Sequence, residues 1–241
     1  VFQAAPVFNL AALFLAALMV PLGPLPAAVS FPGDFVLIAY LMGLARFFTV
    51  LAALDTGSSF EGMGASREVF FSALAEPALF LGLATLARLT GHLSLSDILQ
   101  TVTTGHWLHN APSILLVLVA FFLIFLAENA RIPVDDPTTH LELTMIHEVM
   151  ILDNSGPDLG LIEYGAALKI WLMGTIMTGV IVPMGLNFQT SLTASLAILC
   201  ALAILVGLVE SAMARLRLVR VPQLLISAWV FTGLALFIHF F

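Results

Sequence analysis

The sequence predicts an all-α integral membrane protein, built as a bundle of about seven transmembrane helices. Of its 241 residues, 61% are hydrophobic and only 10% are charged, whereas an ordinary soluble domain carries about 25% charged residues. The mean hydropathy of +1.09 points the same way. Such a chain could not cover a water-facing surface with polar groups, so lipid is its expected solvent and residues 1–241 form a single transmembrane domain.

Seven apolar segments each approach the roughly 20 residues that a helix needs to cross a bilayer. They cover residues 5–21, 35–54, 69–90, 111–128, 161–185, 191–210 and 222–241. Turn-forming stretches such as Pro21–Pro26 and Asn154–Pro157 separate them. Helices are favoured because lipid leaves unpaired backbone groups without water, and the alternating segments of a barrel are absent. Between the third and fourth spans, Gly91–Pro112 suits a short helix lying at the membrane interface.

The basic residues predict the orientation of the bundle. Five arginines fall on one side of the predicted spans, namely Arg67, Arg131, Arg215, Arg217 and Arg220. Only Arg88 lies near the other side, so the positive-inside rule makes the arginine-rich side cytoplasmic, in the inner membrane of a prokaryote. The formal charge of −7 reflects mainly one acidic cytoplasmic loop, residues 128–160. No basic footprint for a nucleic acid is present.

Several ionisable residues lie within the predicted spans. At about 1.5 Å per residue, Arg46, Glu76 and Lys169 lie roughly 10–12 Å from the cytoplasmic ends of their spans. Glu163 is shallower, and Glu128 and Glu210 lie at span ends, where each alone is typical of an interfacial residue. Charges at such depth usually face the interior of a bundle or a polar cavity.

This layer of charges has two interpretations. As a functional layer it passes protons, because burial raises the pKa of a glutamate and a neighbouring cation lowers it again. As a static layer, Arg46 and Lys169 only neutralise Glu76 and Glu163. For any single residue both interpretations stay open, and for the layer as a whole the functional one is favoured.

The most specific segment is Ala127–Glu148, with the sequence AENARIPVDDPTTHLELTMIHE. Its residues Asp135–Thr138 could cap a following helix, and Leu141, Met145 and Val149 would then share one face of that helix. We expect an amphipathic hairpin folded against the bundle. A metal site at His140, His147 and Glu148 is disfavoured, because Ile151 stands where a zinc-protease helix has its second histidine. The single cysteine, Cys200, excludes a disulfide or a cysteine-ligated cluster within the chain.

Ala127–Glu148 resembles a loop of the membrane subunit that respiratory complex I shares with membrane-bound nickel–iron hydrogenases, the NADH dehydrogenase subunit 1 family. Further segments are similar to family motifs in the same order: Phe2–Pro6, Gly64–Glu68, Glu76-Pro77, Leu161–Tyr164, Glu210-Ser211 and Arg220–Pro222. The resemblance covers essentially the whole chain. It departs from the family in lacking the first of eight helices and in having Thr138 and His140 where complex I proteins carry acids. The run Thr139–Glu148, with Glu76-Pro77 and Lys169, looks like the formate hydrogenlyase branch of energy-converting hydrogenases.

The resemblance implies a non-catalytic membrane anchor and coupling subunit. Its expected partners are hydrogenase large and small subunits, which hold the nickel–iron site and iron–sulfur clusters, and antiporter-like membrane subunits. This chain itself is expected to hold no cofactor or metal. The charged layer and the resemblance together give the expected pathway residues Arg46, Glu76, Glu128, Glu163, Lys169 and Glu210. The implied docking and coupling residues are Arg67, Arg131, Asp135, Asp136, His140, Glu142, His147 and Glu148.

Two other functions stay open at this stage. A quinone-binding membrane subunit of a complex I-like NADH dehydrogenase would share the same resemblance. A free-standing secondary transporter would normally show an internal inverted repeat or matching broken helices, and the sequence has neither.

Overall fold

The computed structural model describes residues 1–135, 145–183 and 187–240, without the side chain of Phe240. The described residues form eight α-helices and no β-strand, which confirms the predicted all-α class. The helices are α1 (Ala5–Ala17), α2 (Asp34–Asp55), α3 (Ser59–Thr90), α4 (Leu95–Thr101), α5 (Thr104–Glu128), α6 (Pro157–Ile181), α7 (Phe188–Ala212) and α8 (Val221–Phe240). Two short 3-10 helices, Glu148–Ile151 and Leu218–Arg220, lie in loops.

Six helical stretches are long and apolar enough to cross a membrane, namely α2, α3, α5, α6, α7 and Leu218–His239, which includes α8 up to its last residue but one. The predicted first span, 5–21, is instead a helix of 13 residues. At 1.5 Å per residue it is only about 20 Å long. It ends early because Pro21, Pro24 and Pro26 follow closely and cannot donate helical hydrogen bonds.

Helix α3 begins ten residues before the predicted third span, at Ser59 rather than residue 69. Its first turns are held by the buried Glu61, which accepts hydrogen bonds from the Thr56 hydroxyl and, at 3.3 Å, from the Asp153 amide. The sequence Gly64–Glu68, expected in a loop, is therefore helical. It carries polar side chains beyond the apolar part of the span, which is why hydropathy alone missed it.

The predicted interfacial stretch Gly91–Pro112 contains α4 and the first turns of α5. Helix α4 is a short helix of the expected kind: its residues Leu95, Ile98 and Leu99 are buried against the bundle, while Asp97 is exposed. The buried carboxylate of Asp34, at the start of α2, holds α4 in place by accepting hydrogen bonds from the Ser94 hydroxyl (2.8 Å) and the Leu95 amide (2.6 Å). The bond to the Leu95 amide satisfies one of the backbone N–H groups in the first turn of α4, which have no hydrogen-bond partner within the helix itself.

The core lies between α3, α5 and α8, with α1 packed against α2 and α6. Helix α7 is peripheral and packs mainly on α6. Only 11% of its apolar window is buried within the chain, against 56% for α6. Helices α2, α5 and α7 finish at the same end of the bundle, where α3, α6 and α8 begin. We call it the basic end, because Arg67, Arg131, Arg215, Arg217 and Arg220 lie there.

Candidate functional site

The centre of the site is Arg46 on α2, whose side chain is only 8% exposed. Its guanidinium contacts three carboxylates. Nε lies 3.2 Å from Oε1 of Glu68, Nη1 donates to Oε1 of Glu76 at 2.5 Å, and Nη2 donates to Oε2 of Glu128. A charge withdrawn from water needs such partners, because desolvation of an isolated guanidinium would be too costly.

Glu128, at the last position of α5, bridges Arg46 to a second cation. Its carboxylate Oε2 lies 2.8 Å from Nζ of Lys169 on α6, and the same Nζ donates to the Glu128 carbonyl oxygen at 2.6 Å. The Glu128 side chain is 5% exposed. Ionic contacts thus join α2, α3, α5 and α6. The charge cluster, as we name it, consists of Arg46, Glu68, Glu76, Glu128 and Lys169.

A polar cavity of about 60 Å³ lies beside the charge cluster. Its polar lining comes from Asn9, Arg46, Thr49, Glu68, Glu128, Asn129, His147 and Lys169. Two buried atoms of this lining, Arg46 Nε and Asn129 Oδ1, have no hydrogen-bond partner among the described residues. Arg46 Nε nevertheless faces the Glu68 carboxylate at 3.2 Å, so Asn129 Oδ1 is the atom of this lining left without any partner in the part of the chain that the structure describes. A polar cavity of this size has room for a few water molecules, and this oxygen is a suitable partner for one of them. We call it the ion cavity.

The loops at the basic end are tied together by Asp135, which is 2% exposed. Its Oδ2 accepts hydrogen bonds from the amides of Ile146 and His147, both at 3.1 Å. Its Oδ1 accepts one from Nη2 of Arg215 at 2.7 Å. The Arg67 guanidinium adds a hydrogen bond to the Met145 carbonyl oxygen at 2.9 Å. The loop before α8 and the segment 145–151 are therefore fixed against the end of α5.

This arrangement places the side chain of His147 in the lining of the ion cavity. Burial lowers the pKa of the imidazole below its usual range. The carboxylates of Glu68 and Asp135 act to raise that pKa, whereas the cations of Lys169 and Arg46 act to lower it. The neutral imidazole is thus the favoured form at neutral pH.

The structure brings four of the six predicted pathway residues together: Arg46, Glu76, Glu128 and Lys169. Glu163 is exposed on another face of α6, and no ion pair within the described ranges includes it. Lys169 pairs with Glu128, not with the Glu163 of the static interpretation. Glu210 forms a separate pair with Arg131, at 3.4 Å between Oε1 and Nη1, near the end of α7.

Among the predicted docking residues, Asp135 is buried and His147 lines the ion cavity, so neither presents its side chain as an open surface. Arg67 and Arg131 contact other segments of the chain, and Glu148 is partly buried where it begins a 3-10 turn. Asp136, His140 and Glu142 lie outside the described residues.

Sequence reasoning missed Glu68 as a member of the site, because that residue falls before the predicted third span. Glu68 and Glu76 are eight residues apart on α3, about two helical turns. An extension of the helix to Ser59 would have placed both carboxylates along one side of it. Asn9, Thr49 and Asn129 gave no sequence signal, because neutral polar residues are common in membrane helices and loops.

The comparisons with known proteins agree with this architecture. The family model described as NADH dehydrogenase matches residues 1–241. Formate hydrogenlyase subunit 4 of Escherichia coli (strain K12) is 31% identical over 245 residues, covering 98% of this chain and 78% of the relative. Hydrogenase-4 component C of the same strain is 31% identical over 249 residues, covering 97% and 78%.

Two further matches are more limited. A subunit of the NADH-quinone oxidoreductase of Rubrobacter xylanophilus is 32% identical over 147 residues, which cover 59% of this chain and 43% of that protein. A chain of the membrane-bound sulfane sulfur reductase, an archaeal respiratory membrane complex, has the same fold with a TM-score of 0.84. It is 19% identical, and the match covers 98% of this chain and 79% of that one. The family match over the full length and two relatives above 30% identity give one conclusion: the chain belongs to the NADH dehydrogenase subunit 1 family of multi-pass membrane subunits in complex I-like respiratory complexes.

Proposed function

We propose that the chain is the membrane anchor and coupling subunit of an energy-converting nickel–iron hydrogenase complex of the formate hydrogenlyase type. The relatives named for formate hydrogenlyase and hydrogenase-4 match nearly the whole chain, whereas the NADH-quinone oxidoreductase relative matches 59% of it. In this proposal the redox reaction takes place in a peripheral arm docked at the basic end. The basic end then faces the cytoplasm of a prokaryotic cell.

The nickel–iron site and the iron–sulfur clusters belong to partner subunits in this proposal. Cysteine thiolates are the usual ligands of such clusters. This chain has a single cysteine, Cys200, which is exposed on α7. Its contribution is therefore a docking surface and a set of buried charges, with antiporter-like membrane subunits as neighbours that complete ion translocation.

The observation that carries the proposal is the charge cluster beside the ion cavity. With all its members ionised, the cluster has three carboxylates and two cations, and Glu128 is shared between Arg46 and Lys169. A shared anion can strengthen one contact as it weakens the other. A small shift at the basic end would therefore change which cation Glu128 neutralises. The free energy of binding a proton within the charge cluster would change with it.

The alternative of a quinone-binding subunit rests on the shorter match to the NADH-quinone oxidoreductase relative. The ion cavity is not a suitable quinone site, because 60 Å³ is far below the roughly 300–1,000 Å³ of ordinary small-molecule pockets, so a quinone would have to bind elsewhere. Purification from native membranes in mild detergent separates the two functions. Nickel and iron without quinone support the hydrogenase, whereas iron with bound quinone and no nickel would support the dehydrogenase.

The translocation proposal is tested by Glu128→Gln in the whole complex, reconstituted in liposomes. The neutral amide keeps the shape of the side chain but cannot balance Arg46 and Lys169, so we expect at least a tenfold loss of ions moved per hydrogen molecule formed. The matched control is Glu163→Gln, on the exposed face of α6. Normal coupling in a fully assembled Glu128→Gln complex would refute the proposed pathway.

A further inference from the structure

His147 lies outside the membrane-spanning helices, yet its side chain lines the ion cavity. Its position is fixed from the backbone, because Asp135 accepts hydrogen bonds from the amides of Ile146 and His147. Asp135 is in turn paired with Arg215 from the loop before α8. The backbone of His147 is therefore tied to the loops of the basic end, while its side chain lies beside the buried charges that line the cavity.

The charges that line the cavity balance one another when all are ionised. Glu68 and Glu128 line it together with Arg46 and Lys169, whereas Glu76, the third carboxylate of the charge cluster, lies outside this lining and has a side chain that is 42% exposed. Asp135 does not alter this balance, because Arg215 pairs with it. A neutral group in such a poorly solvated site therefore takes up a proton more readily when one of the cations moves away.

The groups facing His147 come from four helices and one loop. Glu68 on α3 and Asp135 in the loop attract a proton to the imidazole, while Lys169 on α6 and Arg46 on α2 repel it. Glu128 at the end of α5 lines the same cavity. Burial and the two cations keep the ring neutral at rest, so that it is able to accept a proton. A displacement of Lys169 away from the cavity would make that proton more stable.

We propose that His147 is a proton relay between the basic end of the bundle and the ion cavity, a role that rests on the proposed function with the proton as the translocated ion. A proton from water at the basic end binds to the unprotonated ring nitrogen and forms the imidazolium. The ring then gives up a proton to cavity water, which passes it to the carboxylate of Glu68. Only N–H and O–H bonds form and break, no electron moves, and the ring returns to its neutral form.

Water in this relay has a suitable partner in the cavity wall. Asn129 Oδ1 is buried and has no hydrogen-bond partner among the described residues, and Asn129 lines the cavity with His147. An amide oxygen accepts hydrogen bonds, so it is able to hold a water molecule in the cavity beside the ring.

Chemical rescue of His147→Ala in the reconstituted complex tests the relay. The measured quantity is the number of protons moved per hydrogen molecule formed, with His92→Ala, an exposed histidine at the opposite end, as the matched control. We expect at least a fivefold loss in His147→Ala and no loss in His92→Ala. Added imidazole should restore more than half of the lost translocation. Pyrazole, a ring of the same size that hardly binds a proton near neutral pH, should not.

Three results would overturn the relay: normal translocation in His147→Ala, equal rescue by the two rings, or normal translocation in His147→Gln. The last variant also serves where His147→Ala prevents assembly, because glutamine fills the space without taking up a proton. The proposed function has its own test. If Glu128→Gln blocks translocation and His147→Gln does not, the relay alone is refuted. If translocation is normal in both variants, the proposed function is refuted as well.

Discussion

At the residue scale, Arg46 does most to organise the site. It contacts all three carboxylates of the charge cluster, and two of these, Glu68 and Glu128, are less than 20% exposed. Without Arg46, the three acids would retain Lys169 as the one cation that pairs with any of them among the described residues. Removal of one partner from a buried ion pair typically costs about 3–5 kcal/mol, because the remaining charges are left desolvated and uncompensated.

We therefore expect Arg46→Met to lower the midpoint of thermal unfolding in detergent by roughly 10 °C. Arg88→Met, at an exposed position near the other end of α3, should change it little. The double variant Arg46→Met with Glu128→Gln should recover part of the loss, since it removes one uncompensated acid as well. Equal midpoints for the single and double variants would show that the loss comes from packing and not from charge.

Most of this site could be located from the sequence, but its members could not be paired. Depth along a span follows from counting residues, and it brought Arg46, Glu76 and Lys169 to one level, whereas Glu128, at a span end, joins them only in the structure. Partner choice depends on rotation about each helix axis, which hydropathy does not specify. Glu163 and Lys169 are six residues apart and so point about 120° away from one another on α6. They could not both have faced the cluster.

At the element scale, α3 connects the membrane to the basic end. Its 32 residues exceed the roughly 20 needed to cross a bilayer, so its first turns extend to meet the segment 145–151. Pro77, next to Glu76, removes a backbone donor within the same helix. The Trp229 indole of α8 donates to the Leu74 carbonyl oxygen at 2.6 Å, which ties α8 to α3 close to Pro77. Hydropathy predicted the apolar part of α3 from residue 69 onward and missed the first ten residues, which carry Glu68.

The close approach of α3 to the segment 145–151 depends on Gly64. A Cβ atom at this position would lie 2.2 Å from Val149 Cγ1 and 2.9 Å from the carbonyl oxygen of Ile146. Because one of these neighbours is backbone, Gly64→Ala must displace the segment that carries His147. We expect faster hydrogen exchange across residues 145–151 in Gly64→Ala, measured by mass spectrometry on the assembled complex.

Gly62→Ala is the matched control for this change. A Cβ atom at position 62 meets nothing within 4 Å, and the residue lies in the same helix two positions earlier. There the substitution should leave exchange unchanged or slow it, because alanine favours a helix over glycine by about 1 kcal/mol. Identical exchange in the two variants would contradict a tight contact between α3 and the segment.

At the scale of the whole molecule, the fold separates two kinds of surface. Large apolar side chains remain exposed along the outer helices, among them Ile204 and Leu208 on α7 and Val230 and Phe237 on α8. Charged groups collect at the basic end and in the cluster beneath it. The composition predicted this division, because a chain with 10% charged residues cannot cover several long helices with polar groups. It could not predict that α1 is short, since the proline-rich stretch after Val20 has an apolar composition too.

The single cysteine makes the orientation of the bundle testable. Cys200→Ser yields a cysteine-free chain. Two single-cysteine variants are then made from it: Arg217→Cys at the basic end and His92→Cys at the opposite end. Both positions are exposed. With the basic end in the cytoplasm, a membrane-impermeant maleimide should label His92→Cys in spheroplasts and Arg217→Cys in inverted vesicles. A docked peripheral arm would shield position 217, so its labelling should increase after the vesicles are washed with urea. Labelling of both positions from one side would contradict the helix topology. The reverse labelling pattern would place the basic end outside the cell. Neither a cytoplasmic arm nor a relay through His147 from the cytoplasm could operate there.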